Sequence, residues 1–342
     1  MLLQTTWFLL WGILWIGYFI LDGFDLGLGT IMPFVSKNDI DRRIIYNSMG
    51  PVWDGNEVWL ITAGGVTFAA FPKVYAIMFS TLYTPLLILL FALIVRGVSF
   101  EFRNKVDSAA WRSVWDLCMV VGSFIPALLL GVTFANIFRG LPIDDNGILH
   151  GNLFTLLNPY GLLGGILFVC LFVVHGAIWL AVKSEGELHE RGASFANKAW
   201  FVLLVVAVVF LIVTAFATPL YNNYLKTPVL FIIPIITVLA LLGTKILLLK
   251  KSYWKAWTAS AVTIATAALF GVVGLFPNMF PSTINQQFSL TAFNASGSPL
   301  TLKVMLIVAI IFVPIVIVYQ FFTYKLFSGK LTEKDLEHDE AY

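Results

Sequence analysis

The stretch WFLLWGILWIGYFILDGFDLGL, Trp7–Leu28, runs from Trp7 to Leu21 without a charge and then sets two aspartates, Asp22 and Asp25, among glycines. About 20 apolar residues, rising roughly 1.5 Å each as a helix, span the hydrocarbon core of a bilayer. This segment is long enough to cross, and it carries acid where acid is costly. Three residues apart, Asp22 and Asp25 share a helix face. Asp22 is expected ~9 Å above the inner end near Leu28, and Asp25 about half that. Gly23 and Gly27 read as a small-xxx-small helix contact rather than a phosphate cradle, because no strand precedes them. Met1–Thr6 lacks a basic n-region, so no cleavable signal peptide is expected.

Eight further apolar windows follow, at Val52–Phe71, Tyr75–Val95, Ser113–Ile137, Tyr160–Val182, Ala199–Thr218, Val229–Leu249, Trp257–Phe276 and Lys303–Phe327. Several hold proline (Pro85, Pro126, Pro234, Pro314), and neighbouring helices in a bundle absorb such kinks. The composition agrees: 59% of the 342 residues are hydrophobic and 12% charged, against roughly 25% charged in a soluble domain. Mean hydropathy is +0.88. A soluble enzyme, a nucleic-acid binder and a disordered scaffold are excluded. The expected fold is an all-α polytopic integral membrane protein with nine transmembrane helices. Two four-helix bundles plus one helix is an arrangement that fits. Cys118 and Cys170 both lie in apolar runs, so neither a disulfide framework nor a thiolate metal site is expected, and no metal is assigned.

Basic residues set the orientation. Seventeen of the 21 Lys and Arg fall in the connections after the first, third, fifth and seventh spans or in the tail; Lys73, Arg139, Lys226 and Lys303 fall on the other side. Positive residues favour the cytoplasm. The N-terminus is therefore expected outside and the C-terminus inside. The segments Arg139–Pro159 and Pro277–Leu302 read as solvated loops. A transmembrane domain over residues 1–330 is followed by a charged tail over 331–342, which is expected to fray.

The second span opens Gly50-Pro-Val-Trp-Asp-Gly-Asn-Glu-Val-Trp59, so Asp54 and Glu57 also share a face. The first span runs inward and the second outward, which brings both acid pairs to the cytoplasmic end. Pro51 suits a first helical turn and Asp54 suits the helix dipole, a structural reading that competes with a functional one. Carboxylates with polar neighbours pass protons into an apolar interior. Arg96 and Glu101, at the inner end of the third span, either pair with these acids or mark the headgroup boundary, and the boundary is the commoner case. His175 is the sole histidine within a span. One histidine cannot give bis-histidine haem ligation, and hydrogen-bonded packing is its default reading. The eleven Trp and eleven Tyr read mainly as interfacial belts.

Asp22-Gly-Phe-Asp-Leu-Gly27 closely resembles the signature of subunit II of cytochrome bd quinol oxidases. So do Asn38-Asp-Ile-Asp-Arg-Arg43, the run from Trp53 to Gly65, Asn158-Pro-Tyr-Gly-Leu-Leu163 and, more weakly, Gly186-Glu-Leu-His189. The resemblance covers nearly the whole length. It implies a heterodimer with a larger subunit I in the bacterial cytoplasmic (inner) membrane. Such a complex oxidises quinol, reduces dioxygen to water and builds proton-motive force by taking protons from the cytoplasm, without pumping. It implies that haems b and d sit in subunit I, that this chain binds none and holds no catalytic residue, and that a structural quinone is an open option. It also implies that subunit II stabilises the complex and supplies part of a cytoplasmic proton route. Asp25 and Asp54 match positions assigned to that route, whereas Glu57 aligns with a position that is not always acidic. The Pro219–Pro228 connection is shorter than in some relatives.

The expectation is thus a haem-free, nine-helix oxidase subunit whose Asp22, Asp25, Asp54 and Glu57 guide protons toward an oxygen-reducing centre in subunit I. Its surroundings are subunit I, membrane lipid and, through the complex, quinol; nucleic acid is not a partner. Two alternatives stand beside it: a proton-coupled secondary transporter, and a purely structural scaffold whose acids only form ion pairs.

Overall fold

The computed structural model describes residues 1–337 and is almost wholly helical. Helix α1 (Leu2–Val35) is central. It packs on α3 (Trp53–Ala70), α6 (Ala109–Arg139), α8 (Pro159–Lys183) and α12 (Tyr253–Leu275). Trp7, Phe8, Trp11, Trp15, Tyr18 and Phe19 are all buried along it, as befits a helix that is apolar on several sides. Helix α5 (Tyr83–Phe102) leans on α6, while α9 (Gly186–Ala217) and α11 (Ile232–Leu249) close a ring of four with α8 and α12. Helix α13 (Pro299–Leu326) lies outside both groups, touches α1 and α3, and buries only Leu302.

Eight of these helices are long and apolar enough to cross a membrane. Helix α3, the second window of the sequence, is not one of the eight, because its first turn carries Asp54, Asn56 and Glu57. Its 18 residues still reach ~27 Å. At the far end the Ala70 carbonyl accepts from the Gly297 N–H (2.8 Å), just before α13. The third window is corrected. Residues 75–95 are not one helix: α4 (Pro72–Thr81) ends and α5 begins at Tyr83, so the crossing is Tyr83–Phe102. Pro85, four residues beyond Thr81, has no N–H for the Thr81 carbonyl and its ring would clash with it, which separates the two helices. Pro234 likewise falls in the first turn of α11, whereas Pro126 and Pro314 are truly interior.

Helix α1 approaches α8 with no room for side chains. A Cβ on Gly27 would lie 1.8 Å from the Phe172 carbonyl oxygen, and one on Gly176 2.4 Å from the Leu28 nitrogen. Backbone, not a flexible side chain, sets this limit. Gly27→Leu should therefore prevent α1–α8 docking and abolish recovery of the assembled membrane complex. Wild-type yield of intact complex in size-exclusion chromatography would contradict that contact.

Ion pairs draw the basic connections to one end. Asp41, on α2 (Asp39–Met49), accepts from Arg191 Nη2 (2.6 Å) and from the Lys37 backbone N–H (2.7 Å). Asp116 takes Arg103 through Nε (2.7 Å) and Arg42 through Nη1 (3.0 Å), and Arg103 also reaches Asp39 (2.6 Å). Buried Lys183 donates to the carbonyls of Phe327 and Gly329, and Arg43 donates to that of Leu336 (2.8 Å). Leu331–Glu337 is thereby docked, with Leu336 buried; His338 to Tyr342, the rest of the tail, lies outside the described residues.

The opposite end is more ordered than solvated loops would be. A two-stranded ribbon, β1 (Asn278–Phe280) with β2 (Leu290–Thr291), sits beside the segment after α6, where Leu141 N–H donates to the Pro281 carbonyl (2.9 Å). Within that segment α7 (Leu153–Leu156) is capped by Asn152. Asp144 accepts from His150 Nε2 (2.9 Å) and from the N–H groups of Ile148 and Asn146. Those hydrogen bonds, His150 first, hold its carboxyl below the usual carboxylate range. The short Pro219–Pro228 connection holds a helical turn, α10 (Tyr221–Lys226).

Candidate functional site

Toward the basic end, α1, α3, α5 and α13 converge on a buried polar cluster. Arg96 of α5 donates to both oxygens of Asp22 on α1, Nη2 to Oδ1 at 2.6 Å and Nη1 to Oδ2 at 3.1 Å. Both side chains are 0% exposed. Bidentate, charge-assisted pairing of this kind is what a guanidinium needs to sit out of water. Asp25, one turn on and equally buried, has Oδ2 3.9 Å from Arg96 Nη2. Its hydrogen bond comes from Asn56 Nδ2 of α3, at 2.7 Å to Oδ2. Oδ1 of Asp25 is buried and without a partner, as are Glu57 Oε2 and the Tyr18 hydroxyl.

Asn56 is held from the other side by α13. Its Oδ1 accepts from the Tyr324 hydroxyl (2.7 Å) and from Gln320 Nε2 (3.4 Å). Gln320 Nε2 also donates to the Gly55 carbonyl (3.1 Å), and Gln320 Oε1 accepts from the Trp59 indole (2.9 Å). Tyr324 lines a cavity of about 180 Å³ under the docked tail, with Ser48, Lys183 and Asp335 also on its wall.

Of the four acids singled out in the sequence, Asp22 and Asp25 meet around Arg96. Glu57 is half-buried and within electrostatic reach of Asp22, Arg96 and Asp54. Asp54 is exposed on the bundle's flank, reaching Arg96 and Glu101 only through space. Arg96 is no headgroup marker but the cation of the cluster, and it is Glu101 that lies on the surface. Sequence reasoning passed over Asn56, Gln320 and Tyr324. The i, i+4 spacing of Gln320 and Tyr324, at the end of a long apolar helix, was the available signal.

Among the described residues, three histidines are placed, and each has a partner within the chain. His175 is buried with Nδ1 on Ser260 Oγ (3.1 Å) and Nε2 on the Ile20 carbonyl (3.2 Å), its ring stacked on Trp257. A carbonyl only accepts, so Nε2 carries the proton and Nδ1 accepts from Ser260. Neither nitrogen is left for a metal. His189 Nδ1 lies on the Ala181 carbonyl (2.6 Å) with its ring against Tyr253, and His150 is on Asp144. Among the described residues no group of three His, Cys, Asp or Glu is placed to hold a metal ion. A bis-histidine haem does not fit these residues.

The chain is similar to known proteins along nearly all of this architecture. The sequence model of the family described as cytochrome bd terminal oxidase subunit II matches residues 3–327. Cytochrome bd-I ubiquinol oxidase subunit 2 of Escherichia coli K12 is 38% identical, over 98% of this chain and 97% of that one. Cytochrome bd ubiquinol oxidase subunit 2 of Bacillus subtilis 168 is 36% identical, over 97% and 98%. The solved bd oxidase from Geobacillus thermodenitrificans superposes with a TM-score of 0.80, over 96% of this chain and 99% of that chain. At 17% identity it speaks for the fold alone. A family match of this extent, with relatives well above 30% identity from end to end, means that the chain belongs to the cytochrome bd terminal oxidase subunit II family, as one subunit of a multi-pass quinol:oxygen oxidoreductase.

Proposed function

We propose that this chain carries the cytoplasmic part of the oxidase's proton route, with Asp25 as the group that takes and releases the proton. The observation behind this reading is the division of labour in the cluster. Both terminal nitrogens of Arg96 are engaged by Asp22, while Asp25 keeps one buried oxygen without a partner. A proton can join that oxygen without breaking a hydrogen bond. Asp22 is then the counter-ion that keeps Arg96 in place. Glu57, whose Oε2 is also unpartnered, and Asp54 on the flank continue the route outward from the cluster. The basic end, where 17 of the 21 cations lie, faces the cytoplasm, in a bacterial inner membrane.

The partner, subunit I, docks on the flank formed by α3, α5 and α13 and carries haems b and d. Support comes from exposure: α13 is nearly bare, and Asp54 and Glu101 are exposed at the rim of the spans, where lipid would not accept them readily. In that arrangement Asp54 hands protons across the subunit boundary, and docking stabilises subunit I. Trp15, Phe19, Phe134, Phe168 and Phe172 line an apolar cleft with a void of about 40 Å³.

The scaffold reading retains one observation, the closed Arg96–Asp22 pair. Asp54→Asn separates the two readings. In the purified heterodimer with its full haem spectrum, a proton route requires oxygen uptake to fall on the order of tenfold or more. Normal turnover with the haems retained is what the scaffold reading predicts and would overturn the route through Asp54.

A further inference from the structure

The amide groups of Asn56 and Gln320 cannot point either way, and this fixes which oxygen of Asp25 accepts a proton. An indole N–H only donates, so the Trp59 bond at 2.9 Å identifies the oxygen of Gln320. The other end of Gln320 is then its NH₂ group, which donates to the Gly55 carbonyl at 3.1 Å and to Asn56 at 3.4 Å. The atom of Asn56 that receives it is therefore an oxygen, and the Tyr324 hydroxyl donates to the same atom at 2.7 Å. What Asn56 turns toward Asp25 is its NH₂ group, 2.7 Å from Oδ2. Every member of this chain lies on α3 or α13, while Asp25 is on α1.

We propose that Trp59, Gln320, Tyr324 and Asn56 are positioning residues that hold Asp25 Oδ2 permanently as an acceptor, so that the transferred proton resides on Oδ1. This rests on the reading of Asp25 as the proton carrier. Protonated Asp25 is then a carbonyl at Oδ2, hydrogen-bonded to Asn56, and a hydroxyl at Oδ1. Reversal, with Asp25 donating from Oδ2, would turn Asn56 about and set its NH₂ against the NH₂ of Gln320. A neutral hydrogen bond is worth about fivefold in an equilibrium, so losing one and adding a donor–donor clash suppresses that form. Helix α13 thus reaches the chemistry although it buries almost nothing of itself.

Infrared difference spectroscopy of the intact, haem-replete heterodimer tests this. A carbonyl stretch from a protonated carboxyl, absent in Asp25→Asn, is expected. It should move to higher frequency in Asn56→Leu, which removes the donor to Oδ2. If Asn56→Leu does not assemble, the remote pair Gln320→Leu/Tyr324→Phe frees Asn56 to turn and should split or shift the same band. The steady-state pH profile should move in these variants and recover with Asn56→Gln if the longer amide regains the contact. A band that is unmoved in Asn56→Leu or in the remote pair overturns the proposal, as does the lack of any Asp25-dependent carboxyl band. Loss of turnover in Asp25→Asn together with an unmoved band overturns the positioning relay alone. Normal turnover in Asp25→Asn overturns the proton-carrier reading itself.

Discussion

Asp25→Asn should leave the heterodimer assembled, with its haem absorption unchanged, and lower quinol-dependent oxygen uptake per haem by about 100-fold. The asparagine keeps the shape of the side chain and, through its own oxygen, an acceptor for Asn56 Nδ2, so the 2.7 Å contact has a successor. What it lacks is an oxygen that can take a proton. Positioned acids and bases contribute roughly 10²–10⁴-fold to rates, and the lower end is appropriate where water in the complex offers a slow bypass. Oxygen-electrode rates normalised to haem d absorbance read this directly. Wild-type turnover in the assembled variant would leave Asp25 as packing.

The second large effect concerns assembly. Arg96→Met removes the one cation of the cluster and leaves Asp22 buried at 0% exposure with no counter-ion. Breaking a buried pair by deleting one partner costs about 3–5 kcal/mol, because the remaining charge is stranded. The expected result is little or no intact complex after detergent extraction. Arg96→Met/Asp22→Leu takes out both charges and should recover most of the yield, since buried pairs replaced by apolar groups are often neutral. Complex yield and the Tm of the purified protein measure both arms. A single variant as stable as wild type would mean the pair is not closed in the membrane. Turnover in the recovered double variant also decides whether Asp22 does more than hold Arg96.

Much of this was legible in the sequence, for a physical reason. Hydrocarbon forces backbone groups into helices and charge into loops, so spans and their shared basic end follow from composition alone. The failure occurred where local chemistry overrides hydropathy: Pro85 cuts the third window. The second window was read at Val52–Phe71, matching α3, although Asp54, Asn56 and Glu57 make its first turn polar. The site was legible along one helix at a time: Asp22 and Asp25 by spacing, and Asp54 with Glu57 by the same rule. Which acid meets which base was not, because it depends on how α5 and α13 pack on α1 and α3. Arg96, read more readily as a headgroup marker, became the centre of the cluster, and Gln320 and Tyr324 gained meaning only once α13 lay beside Asn56.

The segments that carry the family resemblance divide in the same way. Asn38 and Asn158 are helix N-caps, accepting from the N–H of Asp41 and Gly161 respectively. Asp41 and Arg42 tie the basic end together, and Gly186 takes a positive φ of 58° at the start of α9. Those stretches build the frame. The stretches at Asp22–Gly27 and Trp53–Gly65 build the cluster.

The central claim is that protons reach the oxygen-reducing centre through Asp25, and proton uptake in a single turnover tests it most directly. Fully reduced heterodimer, wild type or Asp25→Asn, is mixed rapidly with oxygen while haem absorbance and a pH-indicating dye are followed together. The account predicts that oxygen binds at the wild-type rate in the variant and that uptake of protons from solution, with the haem transitions that depend on it, slows about 100-fold. Proton uptake in Asp25→Asn that keeps pace with wild type would contradict it.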